Sequence, residues 1–184
     1  MKAARVTVAL GALLAGPCIA GGTFNVIISQ NSIRINGVEL RSGSPSENGR
    51  YISLAAAENV LGRPQDTYLA GLGVRVYPWR DAGIHVQRGF RGADKGKMFK
   101  FQVWFVDGYD KVENKHSGKF TGQVQVEGVH IGPDTTFDSV RSDLEKAGFE
   151  ITHYPDVIVA KKGQISIFTV ETTNKIERVE VWCS

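Results

Sequence analysis

Ile33-Arg34-Ile35-Asn36-Gly37-Val38-Glu39-Leu40 alternates apolar and polar residues on either side of a Gly-Val step. The alternation is that of a half-buried strand, and a glycine inside it implies a strand pair or a sharp kink. The same apolar-x-apolar-x-Gly-Val-x-apolar form returns as Val124-Gln125-Val126-Glu127-Gly128-Val129-His130-Ile131. A single recurrence at so long a separation is unlike a solenoid and fits a duplicated small domain.

The segments downstream of the two copies agree in order. After the first, Ser53 is placed to cap a short helix whose face carries Leu54, Ala57, Val60 and Leu61, with Gly62 as the stop and Pro64 beyond it. After the second, Phe137, Val140, Leu144 and Ala147 share one helical face and Gly148 ends it. Strand signals come next. They cover 73–77, 83–87 and 98–106 in the first half, and 150–154, 157–160, 165–171 and 176–182 in the second. The fold class expected is therefore α+β, in two similar halves, each a strand, a helix and an antiparallel meander packed on that helix. The polar, turn-rich stretch from Asp107 to Phe120 is the expected linker, which gives halves of residues 21–110 and 111–184.

Residues 1–20 read as a secretory signal peptide, with Lys2 and Arg5, an apolar run from Val6 to Leu14, and a small-residue exit ending at Ala20. The run is well short of the ~20 residues of a spanning helix, so no transmembrane segment is expected. Cleavage after Ala20 puts the protein in the periplasm or outside the cell. Cys18 raises the alternative of a lipoprotein, against which Pro17 directly before it argues. Loss of Lys2 and Arg5 takes the formal charge of the 184-residue chain from +3 to +1, too little for a nucleic-acid partner. Cys183 then stands alone. Its two readings are a buried small side chain at the end of a strand and a cross-link that makes a dimer.

Tandem halves that open on apolar-x-apolar-x-Gly-Val resemble the layout shared by beta-lactamase inhibitor protein and the SmpA/OmlA outer-membrane assembly lipoproteins. A small exported chain of this kind is also similar to the periplasmic immunity proteins made against type VI secretion effectors. The match runs through the order of elements over most of residues 24–182, and its shared motif is Gly37-Val38 with Gly128-Val129. The two disulfides of the beta-lactamase inhibitor have no counterpart, and no functional residue is carried over.

Chemistry-bearing patterns are sparse. His85, His116, His130 and His153 stand apart without metal-ligand spacing, and His85 and His130 fall at polar positions of alternating strands. No Gly-x-Ser-x-Gly elbow is present. Gly92-x-x-x-Gly96-Lys97 is one residue short of a phosphate loop, and Met98 stands where a magnesium-binding hydroxyl belongs. No metal, cofactor or catalytic residue is expected, and the chain is read as no enzyme. Two exposed turns draw notice instead, Trp79-Arg80-Asp81 after Pro78, and Phe90-Arg91 in a glycine-rich loop. Trp and Arg are the residues most enriched at binding hot spots. Trp79, Arg80, Asp81, Phe90, Arg91 and Tyr109 are the candidate partner contacts. The alternative for Trp79 is a side chain folded back onto the core. The expected function is a periplasmic immunity protein that neutralises a toxic effector, of lipase or cell-wall-hydrolase class, by occluding its active site. The alternative is an envelope assembly or scaffold module bound to a resident protein.

Overall fold

Asn36 and Gly37 have φ of 50° and 82°, and Glu127 and Gly128 have φ of 49° and 90°. Two successive positive φ values make the tight two-residue turn whose twist matches that of a hairpin. Each Gly-Val motif is thus a strand pair rather than a kinked strand. A computed structural model of the chain describes residues 23–42, 51–70, 73–89, 96–110, 115–116 and 118–183.

In chain order, β1 (Asn25–Ser29), β2 (Ser32–Ile35) and β3 (Val38–Glu39) form the first hairpins. β4 (Arg41–Ser42) and β5 (Tyr51–Ile52) pair with each other ahead of helix α1 (Leu54–Leu61). β6 (Tyr68–Leu69), β7 (Val74–Trp79), a 3-10 turn at Arg80–Ala82, β8 (Ile84–Gly89) and β9 (Met98–Trp104) make one meander. β10 (Tyr109–Asp110) and β11 (Lys115–His116) are a small hairpin in the expected linker. The second Gly-Val motif is β12 (Gln123–Val126) and β13 (Val129–Ile131), with helix α2 (Phe137–Lys146) after it. β14 (Glu150–His153), β15 (Val157–Lys162), β16 (Ile165–Val170) and β17 (Lys175–Trp182) make the second meander.

Both helices stop at the glycines expected to end them. Ser53 Oγ accepts from Ala56 N at 3.2 Å to cap α1, and Gly62 ends it at φ 76°. α2 closes through Gly148 at φ 84°, with Phe149 N donating to Leu144 O at 3.0 Å and the Phe149 ring buried.

The expectation of two α+β halves is overturned. The described residues are predominantly β, and apart from the β4–β5 and β10–β11 pairs their strands are pooled into two shared sheets of five and eight strands. The five-stranded sheet runs β13-β12-β1-β2-β3, so β1 lies between the two Gly-Val hairpins, antiparallel to β2 and parallel to β12. The eight-stranded sheet runs β14-β15-β16-β17-β9-β8-β7-β6, so the two meanders join through their last strands. A physical cause lies in those strands. β9 and β17 carry Phe101, Val103, Val179 and Val181, all fully buried, and a free edge so apolar would invite aggregation. Pairing β9 with β17 removes both edges at once. The helices are also too small to cover a meander each, since α1 has eight residues and buries Ala57 alone.

One continuous core results. It contains Val26, Ile28, Ile33 and Ile35 with Val124, Val126 and Ile131 from the small sheet, Phe101, Val103, Ile167, Val179 and Val181 from the large one, and Phe137 and Leu144 from α2. Among the described residues no helix is long and apolar enough to cross a membrane.

Candidate functional site: the outer face of the large sheet

Alternation sends two sets of side chains to opposite sides of the eight-stranded sheet. Ile84, Val86, Phe101, Val103, Val179 and Val181 enter the core. Their neighbours His85, Lys100, Gln102, Trp104, Arg178, Glu180 and Trp182 therefore point the other way. The register lines these up in cross-strand rows, with Trp104 opposite Arg178, Gln102 opposite Glu180 and Lys100 opposite Trp182. On the next strands, His85 lies opposite Gln102 and Phe168 opposite Arg178.

Glu180 is the hub of this face. It is 3% exposed, yet its carboxylate is fully engaged: Lys100 Nζ lies 2.8 Å from Oε2, while Arg178 Nε and Gln102 Nε2 donate to Oε1 at 2.7 Å each. Gln87 Nε2 extends the chain to Gln102 Oε1 at 3.0 Å. Burial by itself raises the pKa of the Glu180 carboxyl, but the hydrogen bonds and charges of Lys100 and Arg178 outweigh it and hold the group below the usual carboxylate range.

Aromatic rings wall the polar hub. The Arg178 guanidinium lies 4.0 Å from the Phe168 ring centroid and 4.9 Å from that of Trp104, and Arg178 Nη1 reaches Glu177 Oε2 at 2.8 Å. Lys100 Nζ lies 4.5 Å from the Trp182 ring centroid, and Phe99 stacks on Trp182 at 5.7 Å. Each Trp–cation pair lies directly across the β9–β17 junction, Trp104 with Arg178 and Lys100 with Trp182, so the two tryptophans sit on different strands. Trp182 remains 42% exposed. The arrangement is a stiff, aromatic, ion-paired surface whose side chains are already fixed by one another.

The sequence-derived candidates fare differently. Trp79 is 2% exposed and its indole N–H donates to Gly62 O at 2.8 Å, so it clamps the end of α1 to β7 and offers no surface. That is the folded-back alternative. Arg80 is half-buried, ion-paired with Asp66 and set over the Tyr68 ring at 5.8 Å. Asp81 is exposed on the 3-10 turn beside it. Phe90 and Arg91 lie outside the described residues, as do residues 1–22 with Cys18. Tyr109 opens β10 opposite His116, where only the backbone is described. Of the set, Trp79, Arg80 and Asp81 are described with their side chains, and chain adjacency joins them.

His130 is exposed as expected, but His85 is buried at 4%, because β8 is an inner strand whose outward side chains are crowded by their neighbours; the Trp104 ring lies 6.1 Å away. Cys183 is 1% exposed with its backbone N–H bonded to Phe99 O at 2.6 Å, so the thiol that a cross-linked dimer would need is enclosed. Sequence reasoning missed Lys100, Gln102, Trp104, Arg178, Glu180 and Trp182. The available signal was the period of two: the positions facing away from Phe101, Val103, Val179 and Val181 hold aromatic and charged residues rather than short polar ones.

No family model matches the chain, and neither a curated protein nor a solved structure is significantly similar to it.

Proposed function

We propose that the chain is an exported inhibitor of immunity type, which neutralises a toxic secreted effector, a lipase or a cell-wall hydrolase, by covering its active site. One observation carries the binding part of this reading: a pre-fixed cluster of Trp182, Trp104, Arg178 and Lys100 on the outer face of a broad sheet. Trp and Arg dominate binding hot spots, and a cluster held by its own ion pairs loses little side-chain freedom when a partner settles on it. Two sequence readings support the rest: residues 1–20 have the pattern of an export signal, and a Gly-Val hairpin, a helix and a meander recur in the same order, although not as separate halves. Of the partner contacts read from the sequence, Asp81 is exposed and Arg80 half-buried, and they belong to this reading as further candidates.

The test is direct. The full chain, exported and processed in the periplasm, is purified and mixed with lipase and peptidoglycan-hydrolase effectors. A one-to-one complex with loss of effector turnover is the expected result. Substrate turnover by the chain alone, or stable association only with a resident envelope-assembly protein, would replace the inhibitor reading with a hydrolase or a scaffold.

A further inference from the structure

The chain carries two Asn-Gly pairs, Asn36-Gly37 and Asn48-Gly49, of which the first lies within the described residues. In such a pair the backbone nitrogen of the glycine can attack the asparagine side-chain carbonyl, because the glycine has no side chain to obstruct the approach. A bond forms between Gly37 N and Asn36 Cγ, the Cγ–Nδ2 bond breaks, and ammonia leaves with the proton given up by Gly37 N. Water then opens the five-membered imide at one of its two carbonyls. The products are an aspartate on the normal backbone, or an isoaspartate in which the main chain runs through the side chain. No enzyme, oxidant or cofactor is needed.

Asn36 and Gly37 are both exposed, and a Cβ placed on Gly37 would meet nothing within 4 Å beyond its chain neighbours, so water reaches the pair freely. Conformation is what holds the reaction back. At φ 50° Asn36 lies in the left-handed region, where Cβ is brought against the carbonyl oxygen. Gly37 N, on the other side of that carbonyl carbon, is therefore turned away from Cβ and from the Cγ it has to reach. Asn36 is also tied to β1 twice, its Oδ1 accepting from Asn25 N and its N–H donating to Asn25 O, both at 2.9 Å. Ring closure requires Asn36 to leave the left-handed region, which undoes the turn.

One of the two products cannot restore it. Aspartate keeps an oxygen for Asn25 N, whereas isoaspartate adds a carbon to the main chain of a two-residue turn and takes Ile35 and Val38 out of register. The disturbance would travel, since Leu40 just beyond β3 is fully buried, donates to Ile33 O at 2.8 Å and accepts at 2.6 Å from the N–H of Ser53, the cap of α1. We infer that Asn36-Gly37 is a self-modifying latch, intact while the β2–β3 hairpin is closed, converted when the hairpin opens, and unable to close again as isoaspartate. The equivalent turn, Glu127-Gly128, has no amide to lose and is inert to this chemistry.

Ageing the purified protein in mildly alkaline buffer, with and without urea, and mapping its peptides by mass spectrometry tests the latch. In urea both Asn-Gly pairs sit in unfolded chain, so Asn36 and Asn48 should convert within about threefold of each other. In buffer Asn36 should convert at least about tenfold more slowly than in urea, which corresponds to an opening cost of ~1.4 kcal/mol or more. Material aged in urea and returned to buffer should then divide in two. The aspartate form regains slow exchange of the Leu40 amide, and in the isoaspartate form that amide exchanges at least about tenfold faster. Equal rates for Asn36 in buffer and urea, an Asn36 that survives urea while Asn48 is consumed, or an isoaspartate form with native protection at Leu40 would each overturn the proposal.

Discussion

Glu180 shows how one buried side chain can hold a whole sheet face in place. A carboxylate 3% exposed survives as an anion because two cations and an amide are arranged around it, and it in turn fixes those cations beneath two tryptophans. Its folded-state pKa is depressed, so as the pH falls the unfolded chain takes up this proton first. The contribution of Glu180 to stability is therefore complete above the ordinary carboxylate range, near pH ~4.3, and is lost as the pH drops from there toward the folded value. Glu127 acts in the same direction. Burial raises its pKa, while bonds from Lys162 and the Gln30 amide more than offset that. Urea midpoints measured from neutral pH downward should fall across that acid window. Glu180→Gln should be less stable at neutral pH by ~2 kcal/mol, below the ~3–5 kcal/mol of a fully buried broken pair because Lys100 and Arg178 retain some solvent. It should also show a shallower acid slope; an unchanged slope would mean that Glu180 is not the titrating group. At this scale the sequence was a poor guide. It offers His85 and Trp79 as surface groups, but alternation and turn residues report which way a side chain points, and only the neighbouring strands decide whether it is covered.

Among the elements, β1 carries the most consequence for its size. Five residues long, it is the central strand of the small sheet, and the two equivalent turns hold its two ends. Asn36 Oδ1 accepts from Asn25 N at 2.9 Å, and Glu127 Oε1 accepts from Gln30 N at 2.6 Å while Oε2 takes Lys162 Nζ from β15 at 2.6 Å. Glutamate is an unusual residue at φ 49°, where Asn and Asp are the common tenants. Its length is the reason, since a shorter side chain at the turn would not span to both Gln30 and Lys162. Glu127→Asn suits the backbone better and removes both bonds, so a net loss of ~1 kcal/mol is expected, with faster amide exchange in β1 than in β9. A gain in stability would show that turn preference outweighs the clamp. The two hairpins, both helices with their stops, and the order of both meanders were legible, because glycine placement and periods of two or 3.6 are local properties. The strand β1 itself went unread, although the run Val26-Ile27-Ile28 offered a β-branched signal.

Across the whole molecule, strand pairing separates what is local from what is not. A period of two says which residues share a face; it carries no information about which edge meets which, and the join of β9 to β17 and the seating of β1 beside β12 are both edge decisions. Two expected halves consequently became one body with interleaved strands and a continuous core. That continuity has a measurable consequence. Independent halves would unfold in two steps, and damage to one would leave the other's transition in place. Shared sheets leave no such freedom, because each meander's last strand is the other's neighbour and β1 lies between hairpins from both expected halves. Phe101 is the place to ask, being fully buried in β9 directly opposite Val181 of the second meander. Phe101→Ala removes an aromatic side chain that the surrounding sheet cannot replace by collapse, for which ~3–5 kcal/mol is the expected cost. The loss should appear as one displaced urea transition, with tryptophan fluorescence and far-ultraviolet circular dichroism coinciding before and after the change. Because Trp79 and Trp104 lie in the first meander and Trp182 in the second, a fluorescence change that splits into two steps in the variant would reveal halves that can part, and would contradict a single cooperative core.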